Sequence, residues 1–246
     1  MTADYGDPAL LATLSQRSAL DECADVLLRS PLFAVLSEAD TRALRAAATP
    51  VELSRGDRLF AEGEAGDQLY VVLDGKVKLT RAAPDGRENL VRVHGPGEMF
   101  GELSMFDPGP RDSSAIAVTD ARLAAMAHRD MRNWLTRRPE VAFQLLRALA
   151  EQLRRITDVY TDLVFTDVPG RVAKALLELA DRFGASQQDG VQVNHDLTQE
   201  ELAQLVGASR ETVNKALADF VGRGWIQLSA KSVLLIDPER LRRRAR

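Results

Sequence analysis

The 246-residue chain holds a single cysteine, three histidines and few aromatics, 5% of its residues. A lone thiol, Cys23, closes no internal disulfide, which fits a reducing setting and gives the cytoplasm as the expected location. One cysteine cannot hold an iron–sulfur cluster either. The histidines, His94, His128 and His195, are scattered one per region, so no imidazole set with metal-ligand spacing exists. No run nears the ~18 apolar residues of a membrane span, and nothing near Met1 reads as a signal peptide. No P-loop, dinucleotide fingerprint or nucleophile–base motif is present. Together these absences argue against an enzyme and against a metal cofactor.

What is present is ordinary in amount and uneven in place. Hydrophobic residues make up 45% of the chain and charged residues 28%, ordinary for a soluble globular protein, and 246 residues suffice for one large or two ordinary domains. The net charge is -4, but Gly170 to Arg246 holds 12 Lys/Arg against 10 Asp/Glu, a local +2. The terminal "LRRRAR" carries four arginines, either a solvated tail or a phosphate contact.

Periodicity divides the chain. Residues 1–30 read as a helical extension, "ALLATLSQRSALDECADVLLRS". From about Val51 to Met126 the apolar spacing is two, with glycines at short intervals. "LYVVLDGKVKLTR" reads as a hairpin turning at Asp74-Gly75, and Pro84-Asp85-Gly86 as a second turn. Many short strands with regular turns imply a small β-barrel or jelly roll, giving an α+β fold with a domain over 31–138. After Pro139 the period becomes helical. Leu146, Leu149, Leu153, Ile156, Tyr160 and Leu163 follow spacings of 3, 4, 3, 4 and 3. That heptad seam either packs on the chain's own barrel or, the preferred reading, seals a parallel homodimer. The dimerisation helix and hinge are expected over 139–166. Asp167 as N-cap, with Pro169 in the first turn, opens a last domain over 167–246.

"LTQEELAQLVGASRETVNKALADF" is two helices joined by a tight turn. Thr198 and Glu201 form a capping box, Gly207 supplies a positive φ, and Ser209 caps the second helix. Val213, Ala216, Leu217 and Phe220 fall on the buried face; Arg210, Glu211, Asn214 and Lys215 fall on the other. This is helix-turn-helix geometry, with "GWIQLSAKSVLLID" as the wing of a winged helix. Arginine suits guanine O6 and N7, and glutamate suits cytosine N4. Thr198, Ser209, Thr212, Asn214 and Lys215 suit phosphates.

With "QLVGASRETVNKAL", "FAEGEAGDQLYVVLDGKVKL", "MFGELSMFDPGPR" and "FTDVPGRVAK", the chain resembles the Crp/Fnr superfamily, the actinobacterial cAMP receptor protein type, over residues 28–246. The resemblance implies a cyclic-nucleotide-binding barrel, a dimerisation helix and a winged helix-turn-helix. It also implies a homodimer on double-stranded DNA with palindromic TGTGA-like half-sites, cAMP as ligand and RNA polymerase as partner. The base readers it matches are Arg210, Glu211 and Lys215. In its phosphate-binding cassette, backbone N–H groups of the turn at Gly101, Leu103 and Ser104 face an anion. Glu102 accepts from the ribose 2′-hydroxyl, and Arg111 pairs with the cyclic phosphate.

Two positions depart from the cAMP-binding pattern. Asp112 stands where a small hydroxyl residue usually donates to the phosphate. Its charge at about 5 Å and an effective dielectric near 20 would repel the phosphate by roughly 3 kcal/mol. Ser113 or Ser114 could supply a hydroxyl instead. Ile156 and Thr157 fall where the dimerisation helix offers polar groups to adenine, and Ile156 is apolar. Weaker cAMP binding, a dimer competent without cAMP, or a different nucleotide would each follow. A module that regulates an attached partner is the further alternative.

Overall fold

The computed structural model describes residues 38–245 except Pro84, Asp85 and Arg87. The expected extension over 1–30 and Cys23 lie outside the described residues.

The β-rich part has two four-stranded antiparallel sheets. The first is ordered β1 (Thr49–Leu53), β8 (Ala121–Ala127), β3 (Gln68–Asp74) and β6 (Met99–Phe100). The second is ordered β2 (Arg58–Phe60), β7 (Ser114–Ala117), β4 (Val77–Ala82) and β5 (Glu88–His94). Inward side chains of both sheets, among them Phe60, Val72, Val77, Ala115 and Leu123, make one apolar layer. On the other face of the first sheet, Leu69, Val71 and Met126 pack against three helices. These are α1 (Glu38–Ala47), α3 (His128–Thr136) and the first turns of α4 (Pro139–Phe165). A short α2 (Leu103–Phe106) sits in the cassette turn.

The hairpin expected at Asp74-Gly75 does not form. β3 pairs with β8 and β6, whereas β4 pairs with β5 and β7. The Asp74-Gly75 corner instead carries the chain from one sheet to the other. It crosses so closely that a Cβ on Gly75, at φ +78°, would lie 2.1 Å from the Asp120 carbonyl oxygen. The turn chemistry was read correctly, but two layers burying both strands outweighed the local pairing signal.

α4 runs 27 residues, and only its start is buried, through Val141 and Leu145. The heptad positions Leu146, Leu153, Ile156, Tyr160 and Leu163 are exposed, so the seam does not pack on the chain's own jelly roll. Phe143, Val159, Val164 and Phe165 widen the apolar surface beyond the seam read from spacing. No helix among the described residues is long and apolar enough to cross a membrane.

The last part begins at α5 (Val168–Phe183), capped by Asp167, whose carboxylate accepts from the Gly170 N–H at 3.0 Å. α6 (Gln199–Val206), α7 (Arg210–Gly222) and α8 (Pro238–Arg244) follow. They pack with α5 around Val172, Leu176, Val213, Leu217 and Phe220. The wing is wider than a hairpin. β11 (Ile226–Leu228) and β12 (Ser232–Leu235) join β10 (Gly190–Asn194) and β9 (Gly184–Gln187) in a four-stranded sheet.

Candidate nucleotide pocket and DNA reader

Arg111 is the most constrained side chain of the cassette. It is 5% exposed, and its Nη1 donates to the Gly101 carbonyl at 2.9 Å, its Nη2 to the Gln68 carbonyl at 2.6 Å. Its Cζ lies 4.2 Å above the Phe60 ring centroid and 5.8 Å from that of Tyr70, both cation–π distances. Burial lowers its pKa below the ordinary arginine value. Its Nε is buried with no hydrogen-bond partner, a donor left over for an acceptor such as a phosphate oxygen. Backbone glycines make the room. A Cβ on Gly66 would lie 2.9 Å from that Nε, and one on Gly101, at φ +80°, 2.8 Å from Nη1. His128 Nε2 also approaches the Gly101 carbonyl, at 3.0 Å.

Glu102 is 4% exposed, and Arg111 spends its bonds on carbonyls rather than on this carboxylate. Burial raises the Glu102 pKa, and the Asp112 charge adds to the rise; its own N–H, Arg92 and Arg111 oppose it. A buried carboxylate with so little protein hydrogen bonding suits a ligand hydroxyl. Ser104 is buried beside Arg111, its Oγ 3.5 Å from Nη1, whereas Leu103 and Phe106 are exposed. Asp112 is exposed and Ser113 buried, and the Ser113 hydroxyl donates to the Asp112 carboxylate at 3.1 Å. Ser114 Oγ accepts from the Glu62 N–H. The Ser113 proton is therefore spent on Asp112, whereas Ser114 accepts and keeps its own O–H to donate. Ile156 and Thr157 stand exposed on α4, where the Thr157 hydroxyl donates back to the Leu153 carbonyl at 3.0 Å.

The sequence reading missed the supports of this site. Phe60 and Tyr70 form the platform under the guanidinium, and their inward period on β2 and β3 was the available signal. It also missed Arg92. That residue pairs with Glu98 at 2.9 Å and acts electrostatically on Glu102.

The helix-turn-helix has the expected local chemistry. Thr198 and Glu201 cap α6 reciprocally, Gly207 ends it at φ 69°, and Ser209 Oγ accepts from the Thr212 N–H. Arg210, Glu211, Thr212 and Lys215 are exposed on α7, with Glu211 and Lys215 paired at 2.8 Å. Asn214 is half-buried, and its Oδ1 is buried without a partner. An unforeseen residue, Arg171, joins the hinge to the turn. Its guanidinium donates to the carbonyls of Thr166, Val206 and Gly207 at 2.8, 3.0 and 3.2 Å. Among the described residues no cluster of three or more His, Cys, Asp or Glu could hold a metal ion.

A jelly roll with an anion cassette, a long helix and a winged helix-turn-helix together define a ligand-sensing DNA-binding regulator. Comparison with known families and structures is specific. Residues 50–138 match the cyclic nucleotide-binding domain and residues 170–244 the Crp-like helix-turn-helix domain. The chain is 57% identical over 222 residues to the CRP-like cAMP-activated global transcriptional regulator of Mycobacterium tuberculosis, covering 90% of this chain and 99% of that protein. It is 38% identical to the cyclic AMP receptor protein of Thermus thermophilus, over 73% of this chain and 80% of that one. A CRP-family transcriptional regulator from Thermus thermophilus superposes with TM-score 0.67 at 30% identity, covering 79% of this chain and 96% of that chain. FixK2 from Bradyrhizobium japonicum shares the fold, with TM-score 0.72 at 24% identity over 80% of this chain and 96% of that chain. The chain belongs to the Crp/Fnr family of transcription regulators.

Proposed function

We propose that the chain is a cytoplasmic homodimer that reads palindromic DNA with TGTGA-like half-sites, contacts RNA polymerase and takes cAMP in its jelly roll. Its work is binding rather than catalysis. The observation that carries the reading is the buried Arg111, with an orphan Nε beside the buried Glu102, joined through α4 to an exposed recognition helix capped by Ser209. Arg111 and the cassette N–H groups would hold the cyclic phosphate and Glu102 the ribose hydroxyl. Arg210, Glu211 and Lys215 would face base edges, with Thr198, Ser209, Thr212 and Asn214 toward the backbone. The exposed α4 seam supports the dimer, since a patch of this extent on one helix ordinarily meets a partner. A nucleotide shifts the equilibrium only by its differential affinity for the two states.

A second reading has its own support. Asp112 keeps its carboxylate by the cassette, and Ile156 adds apolar surface to the seam. Both point to a dimer competent for DNA with little dependence on cAMP. Fluorescence anisotropy of a labelled TGTGA-palindrome duplex, titrated with protein at fixed salt, separates the readings. Tightening of tenfold or more with saturating cAMP supports gating. Equal tight binding supports the second reading, and no binding in either condition rejects the proposal.

A further inference from the structure

The helix-turn-helix does not hang from the hinge alone. It is docked on the outer face of the β4–β5 hairpin of the same chain. Lys78 on β4 reaches Glu201 on α6, with Nζ 2.6 Å from Oε1, and Lys76 reaches Asp196 at 2.5 Å. Arg182 near the end of α5 donates to the Val93 carbonyl and to Glu98. Between these ionic contacts Leu197 is 1% exposed, buried with Leu90, Val93 and Val118. Phe183 closes the edge so tightly against Gly95 that a Cβ there would lie 2.4 Å from its ring.

The contact leaves the reader free. Arg210, Glu211, Thr212 and Lys215 are outside it and exposed. Glu201 divides its oxygens between two tasks: Oε2 completes the capping box of α6, and Oε1 meets Lys78. The hairpin thus holds the first helix by the residue that starts it. Glu98 immediately precedes the short strand β6 that leads into the cassette, and its partner Arg92 acts electrostatically on Glu102, so the Arg182 contact is linked to the nucleotide pocket.

We infer that Lys78, Glu98 and Gly95 are positioning residues for DNA binding. They make the jelly roll a cradle that presents the recognition helix within one subunit. The inference rests on the DNA-reading proposal, and it adds a route from pocket to reader separate from the dimer seam. It is also a physical basis for DNA competence with little ligand, since the docked pose is held by protein groups alone.

The test uses the full-length chain. Lys78→Glu places a carboxylate against Glu201 and is expected to weaken binding of a TGTGA-palindrome duplex about tenfold. Adding Glu201→Gln, which keeps the capping box, should restore most of it. If Lys78 instead touched DNA phosphates, Glu201→Gln would rescue nothing, and that outcome overturns the inference. Hydrogen exchange supplies a readout independent of DNA. In Lys78→Glu and in the charge-free wedge Gly95→Val, exchange over 195–206 should quicken while 69–72 in the jelly-roll core stays protected. Unchanged exchange over 195–206 overturns the cradle even if DNA binding fails for another reason. A wild-type chain that shows this protection but binds no palindrome would instead count against the DNA-reading proposal alone.

Discussion

Arg111 and Gly101 fix each other. The guanidinium Nη1 donates to the Gly101 carbonyl at 2.9 Å, and a Cβ at position 101 would lie 2.8 Å from that same nitrogen. The arginine keeps its place only because residue 101 has no side chain and takes a φ of +80°.

Gly101→Ala should therefore strain the turn by about 1–3 kcal/mol and displace Arg111. Calorimetric titration with cAMP should show binding lost, with a lowered melting temperature. Retained affinity would mean that the arginine does not hold the nucleotide.

Asp112→Ser removes a like charge from the cassette. Asp112 is exposed, so water screens most of the bare repulsion and leaves about 1 kcal/mol, roughly fivefold in nucleotide affinity. Calorimetry at low and high salt checks this, since the gain should shrink as salt rises. No gain at low salt would remove Asp112 from the list of affinity determinants.

Arg210→Ala should cost about 1–3 kcal/mol on the palindrome and relax preference at one guanine per half-site. Competition with duplexes varied at that base measures it. Equal losses on specific and random DNA would reassign Arg210 to the backbone.

Leu153→Lys puts charge at the centre of an exposed seam position on α4. Sedimentation should show monomers where the proposed wild-type state is a dimer. A dimer that persists would place the interface elsewhere.

His94 makes stability depend on pH. It is buried against Phe100, both ring nitrogens lack partners, and its pKa is lowered to about 3. Burial is the main cause; Arg92, Arg182 and Arg155 add to it, and Glu98 opposes. The unfolded chain takes up its proton near pH 6.5, so it binds more protons than the folded state between the two values. Stability is then full above about pH 6.5 and lost as pH falls, by up to about 1.4 kcal/mol per unit until about pH 3. Melting temperatures from pH 7 to 4.5 should fall more steeply for the wild type than for His94→Leu. Parallel curves would point to another group.

Most of the fold could be read from the chain because its signals were local. The capping box at Thr198 and Glu201, the cap at Asp167 and the positive φ of Gly207 each depend on a few neighbouring residues. So did the 3-4 spacing of α4. What stayed hidden depends on contacts between distant segments. The Asp74-Gly75 corner carries ordinary hairpin chemistry, and only the second sheet decides that it changes layer. Arg171 and Arg182 look like surface charges on a helix until the hinge and β5 are brought beside them. Asn214 reads as a phosphate contact by helical phase, yet packing half-buries it. In the cassette, Glu102 and Arg111 were legible as a pair of types, but the carbonyls that hold Arg111 belong to Gln68 and Gly101. No spacing rule connects those three positions.

In the proposed homodimer, two identical recognition helices should read two half-sites about one DNA turn, ~34 Å, apart. The most direct test is anisotropy of the TGTGA palindrome against the same duplex with about half a helical turn inserted between its half-sites, at fixed salt. A dimer of this geometry should bind the inserted duplex hardly better than random DNA, which is typically 10³-fold or more weaker than a specific site. Equal affinity for both duplexes, with or without cAMP, would rule out a dimer that reads two half-sites at this spacing.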